Sequence, residues 1–322
     1  MMELFKHGKR LNKPLFSASK KKLIGDRISQ SLFQTIAIFC SLVVLFIATF
    51  ILIKGSTPFI KKYEINGDLY SVNLFRFIFG MTWFKSPNVY GVGFVILNTL
   101  FITTLSLLVG GPISILTALF IVKFSPRWLN KILNTVVELL AAIPSVIYGL
   151  FGRGVLTKIT NGLANIFGYQ SAGGLGLLTS IGVLSIMIIP TITMLSASAI
   201  QAVKKDVELG SLALGTSKTE TYFFAVLPAA KSGIIQGIIL GVGRALGEAT
   251  AISLVCGNST QGPNLNPFDP TSTLTTTMLA SIHETLGLDY DIRFSVGLVL
   301  IIMIFGVNLL LSYMKKRLGR VK

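Results

Sequence analysis

The sequence predicts an all-α integral membrane protein with six transmembrane helices and both termini in the cytoplasm. Three observations carry this. The 322-residue chain is 52% hydrophobic and only 13% charged, whereas soluble domains hold roughly 25% charged residues; its mean hydropathy is +0.72. Six apolar segments divide it, at about 32–53, 92–122, 132–155, 173–203, 233–256 and 294–314, and about 20 such residues cross a hydrocarbon core. The basic residues then alternate. If each segment crosses once, residues 1–31, 123–131, 204–232 and 315–322 share one face and hold 20 Lys and Arg, against 8 in 54–91, 153–172 and 257–293. The richer face is the cytoplasmic one.

The first segment, LFQTIAIFCSLVVLFIATFILI, has 22 uncharged residues, more than the apolar core of about 7–15 in a cleavable signal. Lys54-Gly55-Ser56-Thr57-Pro58 follows it in place of a small-x-small site, so it reads as an uncleaved span. Residues 1–31 before it form a basic tail (Lys6, Lys9, Arg10, Lys13, Lys20, Lys21, Lys22, Arg27) suited to an anionic lipid surface. Residues 32–91 comprise this span and an external loop whose LFRFIFGMTWF (74–84) has aromatics suited to the outer interface. Residues 92–314 form the transmembrane core, and 315–322 a second basic tail.

Two core segments, 92–122 and 173–203, are 31 residues long and are interrupted by Gly110-Gly111-Pro112 and by Pro190. Splitting only one of them reverses everything downstream and spoils the charge bias, so each is expected to be one span. In the third segment Pro144 should kink the helix and free a carbonyl. Glu138 lies near the expected membrane edge, where it would snorkel or pair with Lys131. Trp128 beside Arg127 fits the inner interface.

Several functions are excluded. A net charge of +16 invites nucleic acid, but the basic residues cluster at segment ends and no nucleic-acid motif is present. Cys40 and Cys256 form no disulfide framework, and His7 and His283 lack metal-ligand spacing. No GxxxxGK[ST] occurs, so the chain brings no phosphate-cradling loop of its own for ATP. No catalytic residue, metal or cofactor is expected.

The loop 204–232, KKDVELGSLALGTSKTETYFFAVLPAAKS, is the most informative polar region. Val203, Val207 and Leu214 have helical spacing, which predicts a helix continuing out of the fourth span. Gly215 is a natural stop, and Ser217-Lys218-Thr219-Glu220 matches a capping box that starts a second helix. Pro228 is expected to end or kink it. Tyr222, Phe223, Phe224 and Val226 are too many apolar residues for an idle loop.

In the fifth segment Gly233, Gly237 and Gly241 recur at four-residue steps, and Gly243 and Gly247 likewise. Such rows let helices approach closely. Arg244 and Glu248, at i and i+4, would share one helix face. Facing lipid, each would cost about 2.5–3.5 kcal/mol, so they must face protein, water or each other. They could simply neutralise one another and lock packing. They could instead line an anion pathway: a guanidinium fork binds two oxygens of a tetrahedral oxyanion, and a nearby carboxylate keeps the binding exchangeable, as conduction requires.

The string GTSKTETYFFAVLP (215–228) resembles the EAA loop of ABC-importer permeases, in which a glycine precedes a leucine-proline pair by twelve and thirteen residues, here Gly215, Leu227 and Pro228. ELLAAIPSVIYGLFG (138–152), GRALGEATA (243–251) and FRFIFGMTW (75–83) are similar to the phosphate-specific permeases, the last to the PstC-type subunit. The match covers roughly 75–313. The resemblance implies a MetI-like permease bundle, multi-pass in the cytoplasmic (inner) membrane. It implies an ATPase-docking loop at Glu208, Gly215, Thr216, Glu220, Leu227 and Pro228, and phosphate passage past Arg244 and Glu248. Glu138, Pro144 and Ser145 would lie on the pathway or at a helix kink. The implied partners are an ATP-binding subunit, as a dimer, a second permease of the PstA type, an extracytoplasmic phosphate-binding protein and membrane lipid. The chain departs from the family at the EAA triplet, which aligns with Leu209-Gly210-Ser211, the glutamate falling one earlier at Glu208; Ala225 replaces an isoleucine. Sulfate or molybdate as the oxyanion, a PstA-type role, and an ion-coupled secondary transporter are the alternatives.

Overall fold

The computed structural model describes residues 20–65, 67–85 and 89–319. The basic residues Lys6 to Lys13, Arg320 and Lys322 therefore lie outside the described residues. Two compact units divide the chain, residues 1–50 and 51–322. Helix α1 (Lys20–Ile60) accounts for the described part of the first unit. Its side chains from 27 to 50 are exposed, and from 36 to 48 apolar residues cover every face, Ile36, Phe39, Leu42 and Phe46 among them. A helix without a polar face is suited to hydrocarbon.

The second unit contains a small cap followed by the helical bundle. Hairpins β1–β2 (Tyr63–Ile65, Asp68–Tyr70) and β3–β4 (Trp83–Phe84, Val89–Tyr90) flank α2 (Leu74–Phe79). Asn73 starts α2 by accepting the Phe75 and Arg76 N–H groups at 2.9 and 3.3 Å. The helix buries Phe77 and exposes Phe75 and Phe79, so only part of the aromatic string is available to an interface. Tyr63, Val72, Phe77 and Tyr90 pack with Phe94, Leu274, Ile292 and Val296, which joins the cap to the bundle.

The bundle comprises α3 (Gly93–Leu119), α4 (Arg127–Ala142), α5 (Ser145–Phe151), α6 (Thr157–Ile166), α7 (Leu177–Gln201), α8 (Lys205–Ala213), α9 (Lys218–Glu220), α10 (Leu227–Gly247), α11 (Thr250–Ser253), α12 (Leu274–Leu279) and α13 (Leu288–Gly319). Single π turns lengthen α3 to Phe124, join α5 to α6, and join α9 to α10. Among the described residues five helices are long and apolar enough to cross a membrane, six if the bent α4–α6 unit is one span.

Helix α7 is the hub, with 61% of its apolar window buried. It runs parallel to α3, and small polar residues bridge the pair: Ser106 donates to the Ile181 carbonyl (3.2 Å), Ser185 to that of Ser106 (3.3 Å) and Thr193 to that of Ser114 (3.3 Å). Helix α10 lies antiparallel on another side of α7. A Cβ at Gly233 would stand 2.4 Å from the Ala199 Cβ, and one at Gly241 2.7 Å from Ile192, so these glycines set the helix separation. Pro112 and Pro190 sit within continuous helices, because neighbouring helices hold them in place.

Four expectations about element boundaries need correction. The third segment bends where Pro144 predicts, but as a break and not a mild kink: α4 and α5–α6 meet at 93°. Pro144 has no N–H to reach the Leu140 carbonyl, and the Tyr148 hydroxyl occupies that acceptor at 2.6 Å. The helix from the fourth span does not continue into the loop, because α7 ends at Gln201 and α8 restarts at Lys205. Pro228 does not end the loop helix; residues 218–247 are continuously helical. The π turn closes with the Leu227 N–H on the Tyr222 carbonyl, a widened register just before the position where Pro228 supplies no donor. The fifth segment stops at Gly247, short of residue 256.

Candidate functional site

Arg244 lies in the last turn of α10, where the helix dipole favours a cation. Its Nη1 donates to Thr191 Oγ1 on α7 at 2.9 Å, and its remaining N–H groups bond no other described residue. Glu248 has left the helix, with φ −76° and ψ 118°. Its Oε1 accepts the Ala251 N–H at 2.9 Å and so starts α11, while its carbonyl accepts the Thr275 hydroxyl at 2.8 Å. The two charged side chains therefore share no helix face, and no ion pair joins them among the described residues. This corrects the expectation drawn from their four-residue spacing. Both are half-buried, at a point where α10 breaks.

Thr191 leads into a polar furrow. Thr191, Met194, Ser198 and Gln201 follow one another at helical steps along α7, and the last three line a cavity of about 300 Å³ with Asn134 and Glu138 of α4. Glu138 thus lies beside polar α7 residues, and no ion pair ties it to Lys131 among the described residues. Pro144 and Ser145 form the corner where α4 turns into α5. The furrow was missed in the sequence because Thr191, Ser198 and Gln201 are single polar residues within an apolar run. Their spacing of seven and three was the available signal.

Gly237 and Gly241 are buried against α7, whereas a Cβ at Gly243 or Gly247 would meet open space. Close packing within this chain accordingly falls on the first glycine row and not on the second.

Just beyond the C-terminal end of α7, α8, α9 and the π turn form a compact bend. Gly215 has φ +85°, a conformation costly for a residue with a Cβ. Thr216 Oγ1 donates to the Ser211 carbonyl at 2.8 Å and lies 2.8 Å from the Thr221 hydroxyl, stapling both arms of the bend. Ser217 and Glu220 form the reciprocal capping box, and these Ser217 donors hold the Glu220 carboxyl below its ordinary range. The apolar residues divide: Tyr222 and Val226 are buried in the bundle, whereas Leu209, Leu214 and Phe224 are exposed. Glu208 forms an ion pair with Lys123 at the end of α3, and Lys123 also lies over the Tyr222 ring. The carboxylate is thereby tied to its own bundle. Leu227 and Pro228 follow the π turn into α10.

Sequence reasoning also missed a cluster of charges beneath the cap. Asp291 accepts the Tyr63 hydroxyl at 2.7 Å and lies 3.5 Å from Lys54 Nζ. Asp289 lies 3.5 Å from Lys85 and 3.8 Å from Arg293, which is itself 5% exposed. Burial, then Asp291, pushes the Tyr63 phenol well above its ordinary value, and burial with the Asp289 charge does the same to Tyr90.

Residues 110–320 match the family described as "Binding-protein-dependent transport system inner membrane component". The chain is 34% identical to a "Probable ABC transporter permease protein YqgH" of Bacillus subtilis, over 92% of this chain and 96% of that protein. It is 32% identical to the "Phosphate transport system permease protein PstC" of Pasteurella multocida, over 79% of this chain and 84% of that one. It is 31% identical to the PstC of Haemophilus influenzae, over 94% and 98%. Among solved structures, it superposes on a chain of a bacterial alginate ABC transporter with a TM-score of 0.64 at 18% identity, covering 93% of this chain and 98% of that one. That similarity concerns the fold alone.

Proposed function

The chain belongs to the family of binding-protein-dependent transport-system inner-membrane components, and on that premise we propose that it is the PstC-type permease subunit of an ATP-driven phosphate importer. It is a multi-pass membrane protein and no enzyme in itself; membership of the family carries an ATP-hydrolysing subunit and a substrate-binding protein as partners. The finer partner assignments are a second permease of the PstA type and a phosphate-binding protein. The α8–α9 bend then lies in the cytoplasm, with Leu209, Leu214 and Phe224 directed at the ATPase dimer, while the cap and the loops after α11 and α12 face outward.

The observation that carries the reading is Arg244 at the broken end of α10, held by Thr191 and followed along α7 by polar residues toward Glu138. A guanidinium anchored through one nitrogen keeps other donors for the oxygens of a passing phosphate. Met194 and Ser198 are exposed along the furrow, so one chain supplies one wall, and the PstA-type partner would supply the other. ATP binding and hydrolysis would act through the bend on α3 and α10, to which the Lys123–Glu208 pair and the continuous 218–247 helix couple it.

The test is uptake of labelled phosphate by proteoliposomes holding the chain with its partner permease and ATPase, supplied with the binding protein. Uptake should require ATP, and Arg244→Ala should lower it at least tenfold, the order expected when a charge-assisted contact is lost, with ATPase assembly unchanged. Uptake driven by an ion gradient with no ATPase present would overturn the reading. Unimpaired transport by Arg244→Ala would assign that side chain to packing.

A further inference from the structure

A second cavity, of about 140 Å³, lies on the cap side of the bundle between β3, the loop after α11, α12 and α13. Its wall includes Arg293, Thr276, Thr277, Ser272 and Asn258. Arg293 is 5% exposed, and its Nε is a buried donor with no acceptor among the described residues. Its Nη1 is anchored on the Thr277 carbonyl at 2.9 Å, which fixes the guanidinium against the cavity. A buried, unpaired donor is costly unless something occupies the site.

The buried Arg293 and Asp289 balance in charge, with no hydrogen bond to Nε or to either Asp289 oxygen among the described residues, and the exposed Lys85 adds one positive charge. Asp289 lies between two cations, 3.8 Å from Arg293 and 3.5 Å from Lys85, so neither has a carboxylate to itself. Lys54 and Asp291 form a separate pair. Helix α12 also ties the cavity wall to Glu248: its Thr277 holds Arg293, and two residues earlier Thr275 donates to the Glu248 carbonyl. We propose that this cavity is an outer binding site for a tetrahedral oxyanion, with Arg293 as its charged ligand, from which the anion passes over α12 to Glu248 and Arg244. The oxyanion's identity as phosphate rests on the function proposed above; the site itself rests on the cavity and its arginine.

The assembled transporter in detergent provides the test. Thr260, an exposed residue on the cavity wall, is changed to cysteine in a Cys40→Ser background, Cys256 being buried. Modification of Thr260→Cys by a methanethiosulfonate reagent is then followed on this chain by peptide mass. Saturating inorganic phosphate should slow modification about tenfold, as a site nine-tenths occupied requires, and equal chloride should not. Protection should vanish in Arg293→Gln/Asp289→Asn, which removes the charge pair together and leaves no lone buried charge. It should persist in Arg244→Gln. Protection that survives the double substitution, or no protection by phosphate or sulfate, would overturn the inference. Protection by sulfate and not phosphate would uphold the oxyanion site and overturn the phosphate assignment. Labelled-phosphate uptake by unsubstituted transporter judges that assignment independently. If the double variant assembles poorly, Thr277→Val removes one hydroxyl from the same wall without altering charge or side-chain shape. It should weaken protection several-fold, as loss of one hydroxyl contact does, and unchanged protection would count against the site.

Discussion

Arg244 and Glu248 have separate tasks. The arginine stays in the helix and is held by Thr191, whereas the glutamate leaves it and organises the next turn. Thr191 thereby becomes the residue that aims the guanidinium. Thr191→Val keeps the shape of the side chain and removes the oxygen. A hydrogen bond to a charged group contributes about 1.5–3 kcal/mol, so the initial rate of phosphate uptake should fall about tenfold with the amount of assembled complex unchanged. At position 248 the carboxylate's visible bond is a cap on Ala251. Glu248→Gln retains an acceptor and should keep α11 in place, whereas Glu248→Ala should lose about 1 kcal/mol of local stability, read as faster hydrogen exchange over 249–254. If Gln and Ala are equally impaired in exchange, the cap is not what Glu248 supplies.

The α7–α10 pair is where helix sequence becomes geometry. Gly233 faces the Cβ of Ala199, which cannot rotate away, whereas Gly243 faces open space within the chain. Gly233→Leu should therefore force the helices apart and destabilise the protein by about 1–3 kcal/mol, seen as a lower unfolding temperature in detergent. Gly243→Ala meets no neighbour within the chain and should stabilise α10 by about 0.5–1 kcal/mol, seen as an equal or higher unfolding temperature. How much of this was legible in the sequence follows from the range of the interactions. The six apolar segments, Gly215 and the Ser217–Glu220 box are encoded by residues close together, and the helices and bend form where those residues lie. The sharp α4–α5 corner, the stop at Gly247 and the passage of Pro228 through a helix depend on Tyr148, Thr275 and a π turn. Pro144 marks where the corner falls but not its 93° sharpness, and no local pattern places the other two. Arg244 and Glu248 stood out as charges in an apolar run, but the break between them is held by Thr275, 27 residues away. The furrow and the Arg293 cavity are assembled from single polar residues on several elements, so periodicity within any one of them was too weak to reveal the site.

Across the whole molecule, each end of the bundle is fastened by a charge contact between segments far apart in sequence. At the α8–α9 bend Lys123 of the π turn after α3 holds Glu208 of α8, 85 residues on. Beneath the cap, Tyr63 and Lys54 hold Asp291 of α13. The cap contact has a defined pH dependence. The Tyr63 phenol donates its proton to Asp291, and burial with that neighbouring charge raises its pKa above the ordinary value of about 10. Between the unfolded and folded values the folded protein binds more protons, so stability must fall as pH rises through that window. The contribution is fully present below about pH 10 and is lost as pH approaches the raised folded value. Tyr63→Phe removes it at every pH. Unfolding temperatures of the detergent-solubilised protein should therefore be lower in Tyr63→Phe at pH 8, and the gap between the two proteins should narrow as pH rises above 10. Burial and the Asp289 charge raise the Tyr90 phenol as well, but Tyr90 remains in both proteins and cancels in the comparison. A gap that stays constant from pH 8 to 11 would mean that the Tyr63 ring, and not its proton, fastens the cap to α13.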